Sequence, residues 1–210
     1  MKKSALLLGF FAFVSVVFVV GTNMLTKDAI TENDKQLLLS TINEIVPKSA
    51  YDNDLTTTTI SLPAKLSGLE QDAIVYVATK EGQATHAIFN ITTYRAYGVV
   101  NMLIGLKLED QSLSGVRVVS HTETPGLGDK IEVKKSDWIL SFKGKSLSNP
   151  KLSGWAVKKD GGQFDQFTGA TITPRSIVNM VRSVLLYSKD NLNPLIEHYL
   201  KTQLKGIKNG

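Results

Sequence analysis

The sequence contains no cysteine. That excludes disulfides, thiolate metal sites, iron–sulfur clusters and a cysteine nucleophile. Histidine is scarce as well: His86, His121 and His198 are too scattered for a local metal motif, so no metal is expected. No G-x-G-x-x-G fingerprint appears, which leaves no nicotinamide site to propose. No G-x-S-x-G elbow and no Ser/Thr–His–Asp spacing marks a hydrolase. Charge of one sign is also in short supply. The formal surplus is +5, and Lys2 and Lys3 supply part of it. Nucleic acid, which wants a basic stripe, is not an expected partner. At 210 residues, 42% hydrophobic and 20% charged, the chain has the composition of a folded protein, and at about 150 residues per domain its length falls between one domain and two.

Charge is missing altogether from Ser4 to Thr26 (SALLLGFFAFVSVVFVVGTNMLT). As a helix rising about 1.5 Å per residue this stretch spans about 35 Å, enough for a hydrocarbon core of about 30 Å with some tilt. A cleaved signal peptide is the rival reading, because Lys2 and Lys3 look like an n-region. The apolar run is longer than a usual h-region, however, and no clean A-x-A site follows it. A retained anchor in residues 1–26 is therefore expected, with the lipid bilayer as a partner. The positive-inside rule places Lys2 and Lys3 in the cytoplasm and residues 27–210 outside it.

Beyond the anchor, residues 28–46 read as an amphipathic connecting helix. Ile30, Leu37, Leu38, Ile42, Ile45 and Val46 approximate one face, and Pro47 stops it. Strands are expected at 56–62, 73–79, 84–92, 99–108 and 115–121, which are rich in β-branched and aromatic residues. Ser136 reads as the cap of a short helix to Phe142, and 154–158 (GWAVK) as a short strand. Thr173–Ser188 is the clearest helix, with Ile177, Val178, Val181, Val184 and Leu185 on one face, and residues 201–210 form a frayed polar tail. Strands and helices mix without a βαβ rhythm, so the expected class is α+β: one transmembrane helix followed by one extracytoplasmic domain.

The informative stretch is Asp160–Arg175, DGGQFDQFTGATITPR. Pro174 reads as the first helical residue and Thr173 as the N-cap, so Thr171 sits just ahead of a helix N-terminus. Unpaired amides and the helix dipole favour an anion there, and Gly169 and Ala170 allow a bulky group to approach. A capped helix after a glycine turn explains the same residues without any ligand. A second stretch, His121–Gly128 (HTETPGLG), ends a strand in a Pro-Gly turn that can project Glu123, Thr124 and Leu127 onto a ligand. A plain surface turn is an equal reading. His121, at a strand end, reads as structural in preference to a proton donor.

Asp165-Gln-Phe-Thr168-Gly169-Ala170-Thr171 matches the acceptor pattern Asp-x-x-Ser/Thr-Gly-Ala-Thr, which periplasmic flavin transferases recognise when they join FMN through its phosphate to a threonine. The whole chain resembles the G subunit of the Rnf (Rsx) ion-translocating electron-transport complex. The likeness covers the anchor, His121–Gly128, Ser136–Ile139 and Trp155–Val178. It implies that the domain is an FMN-binding one, with a single covalent FMN on Thr171 and with Thr168, Gly169, Ala170, Ile172 and Thr173 around the linkage. It further implies ring-edge contacts from Glu123 and Thr124, packing of Leu127 on the ring face, and a flanking contact from Tyr97. Lys158 would stand near the pyrimidine side and favour the reduced, anionic flavin. Asp165 would serve recognition by the transferase. At Thr168 the pattern commonly has serine; the swap keeps the hydroxyl. Around Tyr97 the sequence departs from the family, with Ala96 before it and Val99 and Val100 after Gly98.

The implied function is electron transfer within a membrane complex that couples it to ion movement. Partner subunits would supply donor and acceptor, so the chain would not be catalytic alone. The C subunit of the sodium-translocating NADH:quinone reductase shares the acceptor logic and a similar loop. A cofactor-free anchored binding module, or a transferase using Thr171 as nucleophile, would be built from the same elements, though no base accompanies the threonine.

Overall fold

The computed structural model describes residues 2–67, 69 and 71–208. They form two compact units, Met1–Leu39 and Ser40–Gly210. Helix α1, Lys2–Ile45, is continuous. The connecting helix expected at 28–46 is thus not a separate element. No glycine or proline interrupts the chain between Thr26 and Val46, so the change from apolar to polar side chains does not break the backbone pattern. Nor does its expected apolar face hold throughout. Ile30 and Leu37 are exposed, and only Ile42, Ile45 and Val46 are buried. From Leu6 to Leu25 the large apolar side chains are exposed to the surroundings, as in a helix long and apolar enough to cross a membrane. That helix gives the chain a single-pass anchor.

In the second unit, β1 (Thr59–Leu62) leads through a short helix, α2 (Ala64–Ser67), to β2 (Ala73–Lys80), β3 (Gln83–Thr93), β4 (Val100–Lys107) and β5 (Leu113–His121). The five strands form an antiparallel meander in sequence order. Helix α3, Ile172–Lys208, follows a long stretch of loops and 3-10 turns. Architecture and class are α+β, as the sequence led us to expect. The helix runs well past Ser188. The tail from residue 201 continues it to Lys208, and Asn209 and Gly210 lie outside the described residues.

The alternation of side chains along the strands divides the sheet into two buried faces. Val75, Val77, Phe89, Ile91, Met102, Ile104 and Val116 share a core with Ile177, Val178, Val181, Val184 and Leu185 of α3. Trp138, Phe142, Trp155, Phe164 and Phe167 join this core as a chain of ring contacts, with centroids 4.7–6.3 Å apart. These rings explain why 154–158 is not the expected strand. Its residues run through 3-10 turns at Leu152–Gly154 and Lys158–Asp160, with one isolated bridge from Val157 to Phe164, because Trp155 and Val157 are buried by packing and not by a neighbouring strand. The short helix at Asp137–Phe142 is 3-10, and the Trp138 amide donates to the side chain of Ser136, its cap.

On the opposite face, Gly105 and Gly115 are paired across β4 and β5 and lie beneath Ile45. A Cβ on Gly115 would come within 2.8 Å of Ile45 Cγ2. Beside this seat Arg117 Nε donates to Glu44 at 2.7 Å, and Tyr51 Oη donates to Asn43 at 2.7 Å. Alanine at 115 is therefore expected to destabilise the protein by about 1–3 kcal/mol through overpacking. In an Ile45→Ala background the same change should cost less, because Cγ2 is gone while the Ile45 Cβ position remains 3.1 Å away. Denaturant unfolding of the four variants measures the difference, and equal effects in both backgrounds would show that Ile45 does not occupy the seat.

Candidate functional site

Three segments meet at the N-terminus of α3: the β3–β4 loop, the loop after β5, and residues 165–171. Their meeting point is Glu123. Its side chain is only 5% exposed. One carboxylate oxygen accepts the Gly98 amide at 2.7 Å, and the other accepts the Thr173 hydroxyl. A Cβ on Gly98 would lie 2.5 Å from Thr122 Oγ1, and one on Gly128 would press into the Glu123 carboxylate. Both glycines are thus present for close approach. His121 stands behind this brace. Its Nδ1 accepts the Glu123 amide at 3.0 Å and its Nε2 faces Glu132 at 2.9 Å, which assigns the ring hydrogen to Nε2 and a structural role to the residue.

The helix start differs from the sequence expectation. Ile172 is the first helical residue, and Thr171 occupies the N-cap, its carbonyl accepting the Arg175 amide at 3.3 Å. Thr173 is inside the first turn, fully buried, with its hydroxyl given to Glu123. The reason lies in Pro174. All first-turn amides lack helical partners, so proline fits the third position as well as the first. Thr171 is half-buried, and its hydroxyl donates to no described residue. Just before it, Gly169 has φ +83°, a left-handed conformation that a side chain would strain, and a Cβ there would sit 3.3 Å from Leu127 Cδ2. Ala170 is buried beneath the turn and Thr168 is exposed.

The result is an open shelf. Thr171 and half-buried Ile172 lie at its floor, Leu127 (42% exposed) beside Gly169, and Tyr97 (71% exposed) next to the braced Gly98. Thr124 is exposed on the same loop, and its carbonyl accepts the Leu127 and Gly128 amides, both at 3.1 Å. Two expected residues pair with each other. Lys158 pairs with Asp165, both well exposed, and Trp138 Nε1 donates to the Asp165 carbonyl at 2.8 Å. Arg175, which sequence reasoning passed over, clasps Asp160 through Nε at 2.6 Å and Nη2 at 2.9 Å. Arg175 holds the Asp160 carboxyl below its usual range, and Asp160 raises the guanidinium in turn. A cavity of about 990 Å³ lies away from this shelf, lined by Asn43, Lys80, Lys107, Lys143 and Ile196. It also borders His86, which burial pushes below its ordinary value. Among the described residues no group of three acidic or histidine side chains could hold a metal.

The shelf fits a phosphate-bearing planar group. An unbonded hydroxyl stands at a helix N-terminus whose first amides lack helical partners, and exposed apolar side chains flank it. The Glu123 carboxylate is already committed to the protein's own donors, which leaves it bracing the shelf. Thr173→Val is expected to destabilise the protein by about 1–3 kcal/mol, since it strips a buried carboxylate of one of two donors, whereas Thr173→Ser should cost less than about 1 kcal/mol. Equal unfolding free energies for the two variants would show that the hydroxyl contributes nothing.

Residues 96–186 match the family described as FMN-binding domain, and residues 1–45 match the RnfG N-terminal region. The chain is similar to the G subunit of the ion-translocating oxidoreductase complex of Vibrio atlanticus (strain LGP32), 41% identical over 93% of each chain. It is likewise similar to that of Pseudomonas aeruginosa (strain UCBPP-PA14), 43% identical over 93% of this chain and 92% of that one. Among solved structures, that of Shewanella oneidensis NqrC matches 72% of this chain and 75% of its own, with 21% identity and a TM-score of 0.46.

Proposed function

The chain belongs to the RnfG family, the G subunits of ion-translocating oxidoreductase complexes, which carry an FMN-binding domain, and from that premise we propose that Thr171 bears the FMN as a phosphoester. The observation that carries this reading is the Thr171 hydroxyl itself. It ends the run Asp165-Gln-Phe-Thr168-Gly169-Ala170, caps α3, and is spent on no described partner. A flavin transferase would recognise Asp165 and the exposed turn; the threonine oxygen would give up its proton to the transferase and form the bond to the FMN phosphorus of a flavin dinucleotide, while the bond to the other phosphate breaks and a nucleoside monophosphate leaves.

Bound there, FMN supplies one- and two-electron chemistry. The chain's own residues hold it and set its surroundings. The amides of Ile172 and Thr173 and the helix dipole meet the phosphate charge. Leu127 and Tyr97 offer apolar surface to the ring, and Thr124 a polar contact at its edge. Glu123, through Gly98 and Thr173, keeps the three segments in register. An open shelf encloses little of a ligand, so the covalent tether provides retention. Lys158 would tune the ring only by leaving Asp165. The protein would pass electrons between partner subunits and complete no cycle alone. Lys2 and Lys3 support a cytoplasmic N-terminus and a periplasmic domain. Relatives that are G subunits, 41% and 43% identical across 93% of this chain, favour this reading over the quinone-reductase one.

The test is peptide mapping of the full chain produced with a flavin transferase. A mass gain of FMN less one water on the peptide that contains Thr171 supports the reading. An unmodified peptide, with the transferase active on a control acceptor, overturns it.

A further inference from the structure

We propose that Arg175 is the counter-ion of the phosphodiester on Thr171, held in position by Asp160; this rests on the reading of Thr171 as the attachment point. The argument starts from what the helix end cannot do. An N-terminus ordinarily offers several unpaired amides to an anion. Here the third helical residue is Pro174, which has no N–H, and the Arg175 amide already bonds the Thr171 carbonyl at 3.3 Å. Proline thus removes one of the four amides that a helix start leaves free, and those of Thr171, Ile172 and Thr173 remain. A phosphodiester keeps one full negative charge at any physiological pH, so the site is short of donors.

Arg175 stands four residues after Thr171, which places the two on one face of the helix. Helical side chains lean toward the N-terminus, so the Arg175 side chain lies over the turn that begins at Thr171. Its guanidinium is already oriented, because Asp160 takes Nε and Nη2 in a two-point clasp. Nη1 donates to no described residue, and the side chain is 39% exposed. A planar fork held on one edge by a carboxylate presents its other edge to a second anion. Lysine cannot reproduce this. The nearby Lys158 is engaged by Asp165.

The test uses the full-length chain, loaded with FMN and held in detergent, and reads the phosphorus-31 resonance of the phosphodiester and the rate of FMN attachment. Arg175→Met should move the resonance and slow attachment roughly tenfold, the effect of one charge-assisted hydrogen bond. Asp160→Asn keeps the guanidinium but weakens the clasp that orients it, so it should move the resonance clearly less than Arg175→Met does. An Arg175→Met protein with unchanged resonance and rate overturns the proposal while Thr171 stands. So does an equal displacement in both variants, which would trace the effect to the lost pair and not to the lost charge. A wild-type chain without FMN on Thr171 overturns both readings. Thermal unfolding of each variant separates a local effect from loss of the fold.

Discussion

Thr171→Val is expected to carry no covalent flavin at all. Its intact mass should lack the FMN increment, and its band on a denaturing gel should show no flavin fluorescence. The effect is all-or-none because a phosphoester requires an oxygen at that position and valine, nearly the same shape, has none. The fold should survive. The Thr171 hydroxyl donates to no described residue, and the bond that caps the helix on its other side uses the Thr171 carbonyl, which valine retains. An N-cap substitution typically costs about 0.5–2 kcal/mol, most of it through a lost side-chain bond, so the loss here should fall at the lower end. Thr173 cannot stand in, because its hydroxyl is buried against Glu123, and Thr168, on the exposed turn ahead of Gly169, lies outside the first turn of α3 and its free amides. Stoichiometric flavin in the folded variant would place the linkage elsewhere.

The strands were legible because β-branched and aromatic residues alternate along them, and the expected 84–92 and 99–108 fall within a residue or so of β3 and β4. The face of α3 was legible for the same reason at helical spacing. What the pattern could not show was contact between distant segments. Nothing local to Glu123 says that its carboxylate turns inward. The hint is Gly128, five residues on, which reads as a flexible turn residue but is small because Glu123 fills the space. The Thr173-Pro174 pair misled for a physical reason: every amide of a first turn is free, so proline does not mark the first position uniquely. Trp155–Lys158 has strand-like composition, yet its burial comes from ring packing. The Arg175–Asp160 clasp spans a turn whose path depends on the glycines between, and no periodicity records it.

Those glycines carry the second large effect. Gly162→Ala should destabilise the unit Ser40–Gly210 by about 2–4 kcal/mol, above the usual range for added volume, because the obstacle is backbone. A Cβ at this position would overlap the carbonyl of Ala156 and stand 2.5 Å from its Cα. Ala156 cannot yield easily. Its carbonyl accepts the Phe164 amide at 3.2 Å, Val157 accepts the Gly162 amide at 3.0 Å, and the Lys158 amide donates to Phe164 at 2.7 Å. Opening the turn would release Phe164 from Trp155 and Phe142, and with it the anchor of Asp165 and the acceptor turn beyond. At about 2–4 °C per kcal/mol for a unit of this size, the melting temperature should fall by roughly 5–15 °C. FMN attachment should fall with it. Gly161→Ala is the control next door. That glycine has φ +85° and open space around it, so alanine there meets only the left-handed strain of about 1–2 kcal/mol. If Gly162→Ala melts no lower than Gly161→Ala, the close approach to Ala156 is not what shapes the acceptor loop.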